Sequence, residues 1–309
     1  MNRDVDLPGD RAASLLKRLG PKQPVIDDTP VFSYSDPSFG RPTQLMIRAI
    51  EKVTGQPKLR RMYMEHYLNP VQDEDFWSAA IRKLELNLIY DRARLEAIPK
   101  EGPLVIVANH PFGVLDGVVI SYLTSRIRPR FKVLTNSVLY RAQEVRPFLL
   151  PIDFNETKEA LETNLESRRQ ALAELRQGGA VVVFPGGTVS TAKPMFGRAV
   201  DPEWKTFTSR LITSSKAAVV PMFFEGQNSR LFQIASNLSL TLRYSLLFKE
   251  VANKIGADIA IRIGDTIPPE HLAHLTDRRA LIDHLRAVTY DLSEGPTKIK
   301  RRRKSPVRG

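Results

Sequence analysis

The chain has 309 residues and no cysteine, which excludes disulfides and thiolate metal sites and makes a cytosolic setting the simpler expectation. With 42% hydrophobic and 26% charged residues it has the make-up of a globular protein, long enough for one large core or two modest ones, and nothing in it reads as fibrous or low-complexity. The formal charge is +12, but seven positive charges lie in the acid-free stretch 296–309, leaving +5 for residues 1–295.

Residues 1–40 are rich in Asp, Pro and Ser, with little periodicity, and are expected to form an extended or partly disordered arm. Their first twenty residues lack the apolar centre of a signal peptide, so export is not expected. A helical region with a first strand follows over 41–98. In RPTQLMIRAIEKVTG, Met46, Ile50 and Val53 recur at helical spacing, Pro42 stands near the start, Gly55 just past the end, and Arg48 and Lys52 on the other side. KLRRMYMEHYL over 58–68 and the stretch from about 73 to 83 predict two more helices. The period then changes to two over 84–91, as in a half-exposed strand.

Residues 99–295 alternate between the two periods. Strands are expected at 104–108, 131–135, 148–152, 180–184, 219–224 and 259–263, and helices at 115–127, 157–175, 203–216, 238–255 and 277–292, the last behind Thr276 as a cap. That alternation predicts an α/β fold: a largely parallel central sheet covered by helices on both faces, with an N-terminal helical region and a basic disordered tail at 296–309. No run of about eighteen apolar residues interrupts it, so a membrane span is not expected.

Two strand ends carry chemistry-bearing residues. Leu104 to Ala108 runs into Asn109-His110-Pro111-Phe112-Gly113-Val114-Leu115-Asp116, and 180–184 runs into Pro185-Gly186-Gly187-Thr188. The ends of strands are where an open α/β sheet usually holds its ligands. A histidine with an aspartate six residues on reads as a base and its orienter, and two glycines as a cradle of backbone donors. Asp116 has a second reading, as a helix cap, and Gly-Gly after a strand also serves as a plain tight turn. Nucleophile-elbow, phosphate-loop and metal-ligand spacings are absent, so no metal is expected.

NHPFGVLD, FPGGT and VVPM at 219–222, in this order, resemble the glycerophospholipid and lysophospholipid acyltransferase superfamily, and most closely its bacterial ornithine-lipid and haemolysin-like branch. The resemblance covers about residues 99–265. It implies that His110 takes a proton from an acceptor hydroxyl, that Asp116 holds its tautomer, and that Asn109, Gly113, Phe184, Pro185, Gly186, Gly187 and Thr188 surround the substrates. No cofactor is implied beyond the co-substrate, an acyl thioester of CoA or acyl carrier protein; the acceptor would be a lysolipid such as a lysophospholipid or lyso-ornithine lipid.

The chain departs from the family pattern three times. Five residues, not the usual four, separate His110 from Asp116, and Gly113, which tolerates positive φ, is suited to absorb the extra one. Gly186 stands where the family often has Glu, so that role would pass to backbone N–H groups and Thr188, or to a side chain elsewhere. The family's arginine-bearing block is missing from 148–153; Arg141, Lys193, Arg146 and Arg198 are the candidates to replace it. The expected enzyme is an O-acyltransferase, cytoplasmic and attached electrostatically to the inner face of the cell membrane, whose anionic surface attracts the basic helix and tail. No nucleic acid is expected as a partner. The alternatives are a non-catalytic basic lipid- or nucleic-acid-binding protein and, more weakly, a hydrolase.

Overall fold

The computed structural model describes residues 33–35, 40–136, 143–153, 157–193 and 197–294. Arg141, the tail 296–309 and most of the 1–40 arm lie outside the described residues. Three helices come first among the described residues: α1 (Arg41–Val53), α2 (Gln56–Leu68) and α3 (Phe76–Lys83), the last capped by Asp75, whose side chain accepts from the Ser78 N–H. There follow β1 (Asn87–Ile89), α4 (Arg92–Glu96), β2 (Leu104–Ala108), α5 (Val114–Ile127), β3 (Phe131–Asn136), β4 (Leu149–Ile152), α6 (Lys158–Arg176) and β5 (Ala180–Val183). A small antiparallel pair, β6 (Thr191–Ala192) and β7 (Ala199–Val200), comes next. The chain continues through α7 (Phe207–Ser215), β8 (Ala218–Phe224), α8 (Arg230–Leu238), α9 (Leu240–Asn253), β9 (Asp258–Ile263), α10 (Pro269–Leu272) and α11 (Arg278–Asp291).

Seven strands form one sheet in the order β1-β9-β8-β2-β5-β3-β4, and every pairing is parallel except β8 with β9. The expected largely parallel α/β fold is the one present. Its middle strands are fully buried, because alternate side chains enter two different cores. Ile106, Val182 and Met222 pack with Leu115, Val119 and Leu123 of α5; Val107, Val181 and Val219 pack with Leu175 of α6, Leu211 of α7 and Leu281 of α11.

Several expected boundaries are corrected. The strand read over 84–91 is confined to β1 at the sheet edge, since Leu84 caps α3 and Glu85 takes a positive φ of 52°. The helix read over 203–216 begins only at Phe207, because Trp204 turns inward to Asp201 and the Lys205 N–H bonds the Pro185 carbonyl. The helix expected over 238–255 is α9, preceded by the unread α8; Ser239 separates them in an extended conformation and caps α9 with its hydroxyl. The cap of α11 is Asp277 rather than Thr276. On α1 the buried residues are Ile47 and Glu51, whereas Met46 and Val53 are exposed. Glu51 turns that face inward by accepting hydrogen bonds from the Ser33 hydroxyl and the Tyr34 N–H.

Candidate active site

Parallel register brings the two motif-bearing strand ends side by side. Val107 pairs with Val183, so His110 and Gly186 each lie three residues beyond a matched pair. From β2 the chain crosses over β5 to β3 by way of α5 on one face of the sheet, and from β5 it crosses over β2 to β8 by way of α7 on the other, and a crevice lies at the ends of these two neighbouring strands. Asn109 does not face that crevice. It is buried and bonds both ways to Phe224, its amide donating to the Phe224 carbonyl at 3.0 Å and accepting from the Phe224 N–H at 2.7 Å, which ties β2 to β8.

Gly113 takes a φ of 76° and starts α5. A Cβ there would come within 3.1 Å of Val189 and 3.2 Å of Leu247, so both the turn and the close packing call for glycine. The turn brings Asp116 back toward His110. The Asp116 Oδ2 accepts the N–H groups of Phe112 at 2.8 Å and Gly113 at 2.9 Å, and stands 3.0 Å from His110 Nδ1. The carboxylate that caps α5 is therefore the one that stands beside His110. Alignment of the Nδ1 group falls short of a well-formed hydrogen bond, as is common at catalytic pairs without substrate. Nδ1 is shielded from solvent, and Nε2 is the ring nitrogen that opens on the crevice. Complete burial pushes the Asp116 carboxyl up, while His110 and the two N–H groups pull it down.

The ring of His110 lies on Phe184, with centroids 4.3 Å apart. Beyond Phe184, the Gly187 N–H closes a turn on the Phe184 carbonyl, while the N–H groups of Gly186 and Thr188 have no acceptor among the described residues. The sequence gives no hint of Asp201, a buried acid whose Oδ1 accepts the His110 N–H at 3.0 Å and the Ser190 hydroxyl, and whose Oδ2 accepts the Trp204 indole N–H at 2.8 Å. An acid beside Pro202 in a stretch without period reads simply as a turn former. A Cβ on Gly186 would stand 3.2 Å from the Cβ of Asp201, so the space for a longer side chain at 186 is already occupied by a carboxylate. Asp201→Ala should lower stability by about 3 kcal/mol or more, because three donors lose their acceptor at about 1–3 kcal/mol each. Urea unfolding reads this, and a variant as stable as the natural chain would count against the bracing role.

The crevice is a cavity of about 1050 Å³ lined by His110, Gly113, Phe184, Pro185, Gly186, Gly187 and Thr188, so these expected site residues meet in one place. Lys193 and Arg198 are exposed and do not line it, nor does Arg146. Its cations come from elsewhere: Arg168 and Arg169 of α6, Lys205, Arg210 of α7, Arg243 of α9 and Arg278 of α11. Asp153 is the single acid among the lining residues. An arginine within the apolar run Leu240-Thr241-Leu242-Arg243-Tyr244-Ser245-Leu246-Leu247-Phe248 is the signal that could have marked Arg243 in the sequence.

A largely parallel sheet with a histidine–carboxylate pair and a glycine turn at one edge places the chain in the α/β class, with a candidate site for base-catalysed chemistry. The profile of the acyltransferase family matches residues 47–296, and the chain belongs to that family; it is an O-acyltransferase of the lysophospholipid acyltransferase superfamily that its motifs resemble. It is 26% identical over 249 residues to a lyso-glycine lipid O-acyltransferase of Phocaeicola vulgatus, covering 72% of this chain and 84% of that one. A lyso-glycine lipid O-acyltransferase of Bacteroides thetaiotaomicron is 29% identical over 196 residues, covering 61% of this chain and 68% of that one. Among solved structures, the 1-acyl-sn-glycerophosphate acyltransferase PlsC of Thermotoga maritima aligns with a TM-score of 0.44 and 14% identity, over 81% of this chain and 86% of that one.

Proposed function

We propose that the chain transfers a fatty acyl group from a thioester, on CoA or acyl carrier protein, to the hydroxyl of a lysolipid at a membrane surface. The observation that carries this reading is the His110–Asp116 pair opening, through Nε2, on a large cation-lined cavity. The two lyso-glycine lipid acyltransferases similar to this chain support a lysolipid acceptor. Neutral His110 accepts the hydroxyl proton at Nε2 as the oxygen attacks the thioester carbonyl, and Asp116 stabilises the imidazolium. The N–H groups of Gly186 and Thr188 are the free backbone donors for the tetrahedral oxyanion. Collapse forms the ester, breaks the carbon–sulfur bond, and the thiolate leaves as thiol with the proton from His110. An apolar cavity of about 130 Å³, lined by residues that include Leu59, Met62, Phe76, Val118 and Val251, shares Val114 with the large one and suits an acyl chain.

Incubating the full chain with a lysolipid and an acyl thioester, followed by mass spectrometry, tests the reading. The expected product is the diacylated lipid. Thioester loss with no lipid acylated would point to the hydrolase instead.

No helix among the described residues is long and apolar enough to cross a membrane. Exposed Leu45, Val53 and Leu68 stand on α1 and α2 among exposed Arg41, Lys52, Arg60 and Arg61, a mixture suited to an anionic lipid surface. Attachment on this reading is partly apolar, so high salt should weaken vesicle flotation without abolishing it. Replacing Leu45 and Val53 with Asp should remove the salt-resistant part, and unchanged flotation would refute the assignment of this face.

A further inference from the structure

Among the described residues two arginines are almost wholly buried, and they use their donors differently. Arg128 gives its guanidinium to three carbonyls, those of Pro99, Gly102 and Gly178. That is a structural use, with the charge dispersed over backbone oxygens. Arg243 is 7% exposed and donates from Nη2 to one carbonyl, that of Val189. No carboxylate pairs with it among the described residues, and its remaining N–H groups have no acceptor there. The unpartnered N–H groups of Arg243 are not among the buried polar atoms that lack a partner, so they open on the cavity, where a largely buried guanidinium favours an anion.

The surroundings say where that anion would lie. Leu247, one turn along α9 from Arg243 and on the same face, packs where Gly113 caps α5. Val189, the brace of Arg243, precedes Ser190, whose N–H holds the His110 carbonyl at 2.8 Å. Arg243 thus lines the same cavity as His110, within the wall formed by Gly113, Val189 and Leu247. Tyr34 and Tyr244, stacked with centroids 5.9 Å apart, close that side with apolar ring surface. Exposed cations such as Lys205 and Arg210 also line the cavity, but they stand in solvent, whereas Arg243 is largely buried and held in place by the Val189 carbonyl.

We infer that Arg243 is the headgroup-binding residue of the acceptor site, holding the terminal oxyanion of an anionic lysolipid, a carboxylate or a phosphate, while its hydroxyl reaches His110. The inference rests on the acyl-transfer reading above and adds to it the class of acceptor: anionic amphiphiles are favoured over neutral ones. A planar guanidinium matches the paired oxygens of either anion, and a lysine in its place would keep the charge but lose the fork.

The test separates binding from turnover. Titration calorimetry on the full chain would use a hydroxylated long-chain N-acylglycine, its methyl ester and lysophosphatidic acid. The natural chain is expected to bind the free acid about 10- to 100-fold more tightly than the ester, the size of one charge-assisted contact. Arg243→Gln should bring that ratio close to one, and Arg243→Lys should leave an intermediate ratio. The lysophosphatidic acid arm shows whether the site takes phosphate as well as carboxylate. Equal binding of acid and ester by the natural chain would overturn the inference without any variant, even if Arg243→Gln does not fold. A folded Arg243→Gln that keeps the discrimination would overturn it too. Discrimination that depends on Arg243 without acyl transfer to any acceptor would refute the proposed function and leave the anion site standing.

Discussion

His110→Ala is expected to lower acyl transfer by about 10²- to 10⁴-fold, the contribution of a positioned general base, while leaving the protein folded. The imidazole lines the cavity wall, and on this reading its Nε2 is the nitrogen presented to substrate. What the residue contributes to the fold is mostly backbone: its N–H is held by Asp201 and its carbonyl by Ser190, and alanine keeps both. The side chain gives up its contact with Phe184 and its place beside the Asp116 carboxylate, which keeps the N–H groups of Phe112 and Gly113. Steady-state rates on one lysolipid, read beside thermal melts, check both halves. Full activity in a folded variant would remove His110 from the mechanism.

Asp116→Asn is expected to lose less, on the order of 10²-fold, and to gain stability as pH rises. Asparagine retains an oxygen for the N–H groups of Phe112 and Gly113, so the start of α5 survives, but it cannot stabilise the imidazolium. The stability change follows from the direction of the Asp116 shift, raised by burial against the lowering from His110 and the two N–H groups. A carboxyl raised on folding contributes stability that is complete below its unfolded pKa and is lost as pH rises through its folded value. Ionised Asp116 therefore costs stability at neutral pH, and the amide, which does not titrate, avoids that cost. Lys254, whose ammonium lies over the Phe112 ring and is itself pushed down by burial, offsets less of the cost as it loses its proton at higher pH. Melts of the two proteins should diverge in favour of Asp116→Asn as pH rises above the ordinary carboxylate range of about 4. A variant that loses stability relative to the natural chain over that range would show that the ion pair outweighs the desolvation.

The sequence by itself determined the features that are local. β2, β5 and β8 were legible because strands buried on both faces are continuous apolar runs. The His110–Asp116 pair was legible because six residues and one glycine turn bring the two side chains together whatever the rest of the chain does. The tertiary structure alone decided what depends on residues distant in the chain. Asp201 holds the His110 backbone across 91 positions, and Arg243 reaches Val189 across 54, and no local spacing names either partner. The same holds for α1: Met46 and Val53 share a face by spacing, yet Ile47 and Glu51 are buried, because the buried hydrogen bonds from Ser33 and Tyr34 select the side that carries Glu51. Periodicity reports which side chains share a face of an element; which face is covered, and by what, is settled by the partners that pack against it.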